Sequence, residues 1–355
     1  MPEGEQELFD YLYKFDPETF RVATLMDVAR KKHWITDAAG PLLSPVERDI
    51  LTFDTFAALA ELSGNQLSFG GGTLLNWLYA RKTPRFSFDI DSQFRKSGVS
   101  KELVWSQVVE PINRQLRKLG KVKTVPYEKK NYEIGSIVFD ADKDHFQDVL
   151  SLKRPVFAIW SGSPANVYMG KVAKLERDSG KEGQRLKAFF GGKLPKIEDV
   201  RIEIGIPRNE QGIFPAKKTE VRPLVYPEIE VGSVKALVTK KEYMIALKIF
   251  KLGKIFKPAE ELHAIPDFVK SICDLYVCID LCNADSVFKC LEKISEINGY
   301  RLKQVLVKAQ NRLLRLSTNK EASNLFKTSG QTSFIAQSKE LKDLTAKLRT
   351  FLRPN

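Results

Sequence analysis

Residues 66–94 read QLSFGGGTLLNWLYARKTPRFSFDIDSQF, and the division of this stretch into elements decides the fold. Residues 66–69 (QLSF) are a short strand and 70–73 (GGGT) a turn. Residues 74–80 (LLNWLYA) have the apolar density of a helix, 81–84 form a loop, and FSFDIDSQF is a second strand. In that second strand alternate side chains share a face, so Phe88 and Ile90 turn to the core while Ser87, Asp89 and Asp91 turn away. Neighbouring Cα atoms on one face lie roughly 6–7 Å apart. Asp is a poor strand former, and two carboxylates so placed repel each other unless a cation lies between them. A hard divalent ion such as Mg²⁺ takes oxygen ligands of this kind, together with substrate phosphates. The competing reading is a pair of solvated edge positions.

The glycine turn adds a second feature. It follows a strand and opens a helix, where glycines let the backbone approach a phosphate and free N–H groups carry partial positive charge. Gly71, Gly72 and Thr73 are therefore candidate phosphate contacts, Thr73 through its hydroxyl. The turn is neither a P-loop nor a G-x-G-x-x-G fingerprint, and a tight strand–helix packing turn needs the same glycines.

A third carboxylate would complete a two-metal site, with ions about 3.5–4 Å apart holding the attacking and leaving oxygens of a phosphoryl displacement. VRIEIGI (200–206) alternates as a strand, with Val200, Ile202, Ile204 and Ile206 on one face and Arg201 and Glu203 on the other. Glu203 is the candidate, with Asp140 and Asp142 at the end of another expected strand as rivals. A surface ion pair is the alternative role for Glu203.

Around this core, 355 residues allow one large domain or two ordinary ones. No run approaches the ~18 apolar residues of a membrane span, and the acidic opening MPEGEQELFD is unlike a secretory signal. A cytoplasmic location is expected. The four cysteines, Cys273, Cys278, Cys282 and Cys290, contain no C-x-x-C pair and read as reduced core residues. The three histidines are scattered, against a His-ligated zinc site or a Ser-His-Asp triad. The formal charge is +13, and Tyr300–Asn355 alone holds 12 Lys and Arg against 3 Asp and Glu. Such a field attracts polyanions.

The first ~65 residues have helical spacing, with Ser44-Pro45-Val46-Glu47 as a helix start. Residues 101–119 read as an amphipathic helix, 132–140 and 154–160 as strands, and 170–196 as a basic, loop-rich insertion. RPLVYPEIEVGS joins the two halves. Helices are expected at 240–256, 267–282, 285–297, 301–316 and roughly 336–352. In the helix KKEYMIALKIFKLGK, Lys248 can extend to a cleft as a point charge for a triphosphate, or snorkel at the surface. In the next helix Phe268, Ile272, Leu275 and Ile279 make the buried stripe and Asp274 lies beside it, placed to hold Lys248 or be solvated.

FGGGTLLNWLYARKTPRFSFDID resembles the first motif of the nucleotidyltransferase superfamily, and more closely its AbiEii/AbiGii toxin branch. Arg85, Ser87, Asp89, Ile90 and Asp91 match the branch's Arg-x-Ser-x-Asp-Ile-Asp position by position. VRIEI is similar to its later strand with the third acid. Lys248 and Asp274, the latter in CDLYVCIDL, fall on its C-terminal motifs. The resemblance spans roughly residues 50–95 and 198–285.

It implies an α+β fold, a nucleotidyltransferase-like mixed β-sheet with flanking helices followed by an α-helical C-terminal domain. The implied division is an N-terminal helical segment at 1–65 packing on the catalytic domain, a nucleotidyltransferase α/β domain at 66–232, and a basic helical domain at 233–355. It implies Mg²⁺ held by Asp89, Asp91 and Glu203, an NTP substrate, a triphosphate cradled by Gly71, Gly72 and Thr73, and nucleotide contacts from Arg85, Ser87 and Lys248. Asp274 would position Lys248. The implied activity is that of a toxin adding NMP to the 3′ end of tRNA, neutralised by an antitoxin.

Two other classes share the motif: a non-enzymatic RNA-binding or nucleotide-sensing protein, and a transferase or kinase modifying a protein hydroxyl. Facing carboxylates near an anionic ligand argue against the first. Lys303, Lys308, Arg312 and Arg315 read either as a phosphate-tracking stripe for structured RNA or as an ordinary solvated face.

Overall fold

The computed structural model describes residues 49, 52, 53, 56, 57, 59–80, 85–87 and 89–100, and single positions between 103 and 111. It gives strand backbone at 121–124, 133–134, 137–138, 145–156 and 196–201. It then describes 202–207, 209–222, 233–328, 336 and 339–353. The helix start at Ser44, the rival acids Asp140 and Asp142, and the 170–195 part of the expected insertion lie outside the described residues, as does most of the helix expected at 101–119. The chain divides into two compact units.

The first unit comprises Met1–Phe69, Phe88–Arg208 and Lys218–Leu237 and is built on a mixed sheet. The strands of the sheet are β1 (Leu67–Gly70), β2 (Asp89–Phe94), β3 (Lys121–Thr124), β6 (His145–Val156), β7 (Lys196–Gly205), β8 (Ala216–Val221) and β9 (Val234–Thr239). They run in the order β3-β6-β7-β2-β1-β9-β8, and β4 (Glu133–Ile134) with β5 (Ile137–Val138) makes a separate two-stranded ladder. β6 pairs antiparallel with both β3 and β7, with an irregularity between Phe146 and Leu150.

The decisive pairing is β2 with β7, which is parallel. Parallel neighbours need a long crossover, and the chain between Phe94 and Lys196 supplies it. β1 is buried at all four positions, as an interior strand covered on both faces should be. Ile90, Ile202 and Ile204 are all fully buried, and Phe56 meets Phe69 edge-to-face at 5.1 Å. The main-chain N–H of Arg95 donates to Gln66 O at 2.9 Å, tying the end of β2 to the approach to β1.

β8 and β9 have no counterpart in the sequence reading. AKKTEV is solvent-facing over most of its length and ends the sheet order. Its lysines suit an edge that must not pair with another chain, and the same charges hide the strand from a hydrophobic-alternation test.

The second unit comprises Gly70–Ser87, Asn209–Lys217 and Val238–Asn355. Its helices are α1 (Gly71–Leu78), α2 (Lys241–Gly253), α3 (Pro258–His263), α4 (Ile265–Cys278), α5 (Ala284–Ile297), α6 (Leu302–Thr318), α7 (Lys320–Thr328) and α8 (Leu341–Phe351). α2, α4, α5, α6 and α8 answer to helices expected from apolar spacing. α3 and α7 do not, because the short PAEELH and the polar KEASNLFKT carry too few apolar residues for the period to show. The core is the predicted α4 stripe, Phe268, Ile272, Leu275 and Ile279, packed with Ile245, Ile249, Leu291 and Leu313, all buried. The mixed sheet with flanking helices and a helical C-terminal region is the α+β class expected from the sequence.

Candidate functional site

Two groups of predicted residues are assembled, one in each unit. In the first unit, the β2–β7 ladder sets Asp89 opposite Arg201 and Asp91 opposite Glu203. Register partners in a parallel ladder share a face and stand about 4.8 Å apart. Asp89, Asp91 and Glu203 are half-buried while the alternate residues Ile90, Ile202 and Ile204 are fully buried. The three acids therefore occupy one face of two adjacent strands. Ser92 Oγ donates to the main-chain oxygen of Glu203 at 2.7 Å, a side-chain clasp across the same ladder. As a donor set, three carboxylates suit a hard, oxygen-seeking cation. Among the described residues, no three Asp, Glu, His or Cys side chains converge closely enough to hold a metal. What the structure gives is the shared face and register of the three carboxylates, not a closed cage.

In the second unit, Gly70, Gly71 and Gly72 pass from strand to helix. The turn predicted over 70–73 is shorter than expected, since α1 begins at Gly71, whose φ is 75°. No side chain caps α1 and no acid lies in its first turn, so its amino-terminal N–H groups keep their partial positive charge. Thr73 and Ser87 are buried.

Behind the turn is a cluster centred on Asp274, which is 2% exposed. Arg85 grips it with two donors, Nε to Oδ1 and Nη2 to Oδ2, both at 3.0 Å. Lys248 Nζ reaches Oδ2 at 3.0 Å, and Asn76 Nδ2 donates to Oδ1 at 3.0 Å. The four donors match the ~four lone-pair sites of a carboxylate. Burial alone would raise the Asp274 pKa, but the Arg85 and Lys248 charges outweigh it and hold the carboxyl well below the usual range. Two cations face this one carboxylate. Lys248 reaches toward the surface, its side chain being 19% exposed.

Gly72 is locked into this cluster. A Cβ there would stand 2.7 Å from Arg85 Nη2, 3.2 Å from Asp274 Oδ2 and 3.4 Å from Ser87 Oγ. The position accepts no side chain unless the guanidinium moves, and the guanidinium is held bidentately.

Asn76 belongs to the cluster although sequence reasoning passed over it. Its amide also donates to Gly72 O at 2.8 Å, and its Oδ1 accepts the main-chain N–H of Arg85 at 2.6 Å. The available signal was one Asn inside LLNWLYA, a full turn after Gly72. A buried amide without partners costs several kcal/mol, so its place among leucines implied a local network.

The phosphate stripe expected on α6 is corrected in one member. Arg312 is 3% exposed. Its guanidinium donates to Glu261 Oε1 at 2.9 Å, to Lys254 O at 3.0 Å and to Leu252 O, and it lies 4.7 Å from the Phe268 ring centre. It pins the end of α2 to α6. Arg315 stays exposed but is paired with Glu261 at 2.5 Å.

No family model matches the sequence, and no curated protein matches it either. Among solved structures, the chain is similar to MenT4, a nucleotidyltransferase toxin from Mycobacterium tuberculosis H37Rv. The alignment covers 92% of this chain and 99% of that one, with a TM-score of 0.43 and 12% identity. Among the described residues no helix is long and apolar enough to cross a membrane.

Proposed function

We propose that this protein is a Mg²⁺-dependent nucleotidyltransferase that passes NMP from an NTP to a hydroxyl acceptor. The observation that carries the reading is the β2–β7 ladder, with Asp89 and Asp91 on one face and Glu203 opposite Asp91. Asp89, Asp91 and Glu203 would hold the metal, which when bound would screen phosphate charge and polarise the phosphorus. The acceptor oxygen attacks the α-phosphorus, the bond to the β-phosphate oxygen breaks, and pyrophosphate leaves. Glu203 takes the proton that the acceptor hydroxyl loses.

The triphosphate is bound by the main-chain N–H groups of Gly71 and Gly72 and by the Thr73 hydroxyl, at an uncapped helix start that favours anions. Lys248 supplies mobile positive charge, and Asp274 and Asn76 position Arg85 and Lys248. Arg85, with Nε and Nη2 on Asp274 and Nη1 on the Phe86 carbonyl oxygen, braces the turn, and Ser87 adds a hydroxyl beside Gly72. In sequence Ser87 and Asp89 are separated by Phe88 alone, so the phosphate-binding and metal-binding groups belong to one continuous motif. The sequence resemblance extends the proposal to a toxin acting on the 3′ end of tRNA, held in check by an antitoxin.

The test is transfer of label from α-³²P-NTPs to tRNA by the purified protein with Mg²⁺. Label should appear on RNA, vanish with EDTA, and vanish in the Asp89→Ala/Asp91→Ala variant. Transfer that persists in that variant sinks the metal assignment, and label on protein instead of RNA moves the acceptor to a protein hydroxyl. Expression should arrest growth, and Asp91→Ala should abolish the arrest.

A further inference from the structure

The second unit carries a cleft of about 380 Å³ where the end of α2 meets the start of α6. None of the residues named in the transfer reaction lines it. Half of its lining is apolar or aromatic: Gly253, Ile255, Tyr300 and Val307. Ile255 is 55% exposed and Val307 46%, unusual for aliphatic side chains grouped around one depression.

The floor is rigidly made. A Cβ on residue 253 would collide with the Val305 carbonyl oxygen, so the two helices touch through a glycine. Tyr300 packs edge-on against Phe250, with ring centres 5.6 Å apart. Arg312 fixes the carbonyls of Leu252 and Lys254 from behind. The apolar part of the cleft is therefore backed by close helix–helix, ring and guanidinium contacts.

Its charge is one-sided. Arg301, Lys303 and Lys308 line it, and none of its lining residues is acidic. An apolar floor ringed by cations matches an apolar side chain flanked by carboxylates. An RNA backbone would satisfy the cations but gains nothing from covering Ile255 and Val307, since its affinity comes from phosphate contacts. We propose that this cleft is a docking site for a partner protein segment that inserts one or two apolar side chains between Asp or Glu residues. The site stands apart from the nucleotidyl-transfer reading and does not depend on it.

The probe is a display library of short random peptides, selected on the whole protein and counter-selected on Val307→Asp. Enriched peptides should pair Asp or Glu with Leu, Ile, Phe or Trp. In fluorescence anisotropy the best of them should lose about tenfold or more in affinity to Lys303→Glu/Lys308→Glu and to Val307→Asp. Both substitutions lie on exposed positions, so the melting temperature should not move. Failure to enrich any peptide, enrichment of sequences without acids, or binding indifferent to either variant overturns the proposal. A labelled RNA hairpin offers the remaining outcome. If RNA binding is lost with the two lysines yet unchanged by Val307→Asp, and no peptide competes, the surface is a phosphate track and the proposal fails.

Discussion

Asp91 and Glu203 stand opposite each other on neighbouring parallel strands, two like charges held side by side by main-chain register. Asp91 is placed by main-chain pairing and its side chain is half-buried, so a near-isosteric amide should leave the fold intact. On the proposed reading, Asp91→Asn is expected to keep the melting temperature while cutting nucleotidyl transfer by ~10²-fold or more, the scale expected for loss of a metal ligand. Calorimetry and initial rates on the same preparation check both halves. A variant that loses stability and activity together would make Asp91 a structural residue.

Gly72→Ala tests the packing of the turn. The new methyl group would lie 2.7 Å from Arg85 Nη2, and the fork on Asp274 gives that nitrogen little freedom. A destabilisation of ~1–3 kcal/mol, typical of overpacking, is expected in urea unfolding. Arg85→Lys/Gly72→Ala should recover part of it, since lysine leaves the colliding position vacant.

Asp274 provides the pH prediction. Its folded pKa is depressed, so the stability it contributes is fully present above the unfolded carboxyl value of about 3.9. That stability is lost as pH falls below this value toward the folded one. Between pH 7 and 5 this group should add no slope to the urea midpoint, and below about pH 4 the wild type should lose stability that Asp274→Asn never had. At neutral pH Asp274→Ala should cost ~3–5 kcal/mol, because Arg85 and Lys248 are left without their counter-charge. Adding Lys248→Met should return a measurable part.

The cysteines give a chemical test of burial. Burial and the nearby Asp274 charge push the Cys278 thiol up to about 12, and burial lifts Cys282 to about 11. At pH 8 neither is a thiolate. Cys282 and Cys290 are half-buried whereas Cys273 and Cys278 are buried. Native protein should therefore label slowly with a thiol reagent, at Cys282 and Cys290 first, and all four should react once denaturant is added. Mapping the modified peptides by mass spectrometry decides it.

The fold was legible where one face is apolar. Ile90, Ile202 and Ile204 alternate with acids, and that alternation announced both strands and the face their acids share. The pairing of β2 with β7 is a long-range fact that no local pattern encodes: alternation made Glu203 the candidate third acid, but only the register sets it opposite Asp91. Lys248 and Asp274 were visible as charged residues beside apolar stripes, whereas the grip of Arg85 on Asp274 joins residues 189 apart and has no local signature. Asn76 escaped because a polar residue in an apolar helix has a pattern value of one mismatch, and its worth comes from three hydrogen bonds formed only on folding. Arg312 was misread for a related reason. Helical spacing places it on a basic face, yet a guanidinium can be buried when carbonyls and a carboxylate wait for it.

The clasp from Ser92 to Glu203 closes a loop of 111 residues. During synthesis the ribosome delivers about 5–20 residues each second. The strand carrying Asp89 and Asp91 therefore leaves the ribosome several seconds before its partner exists. A nascent or prematurely terminated chain holds the signature motif without the ladder that organises it. If the acids on β2 and β7 together make the proposed activity, translation itself imposes a delay, and every truncated product ending before β7 lacks the completed ladder.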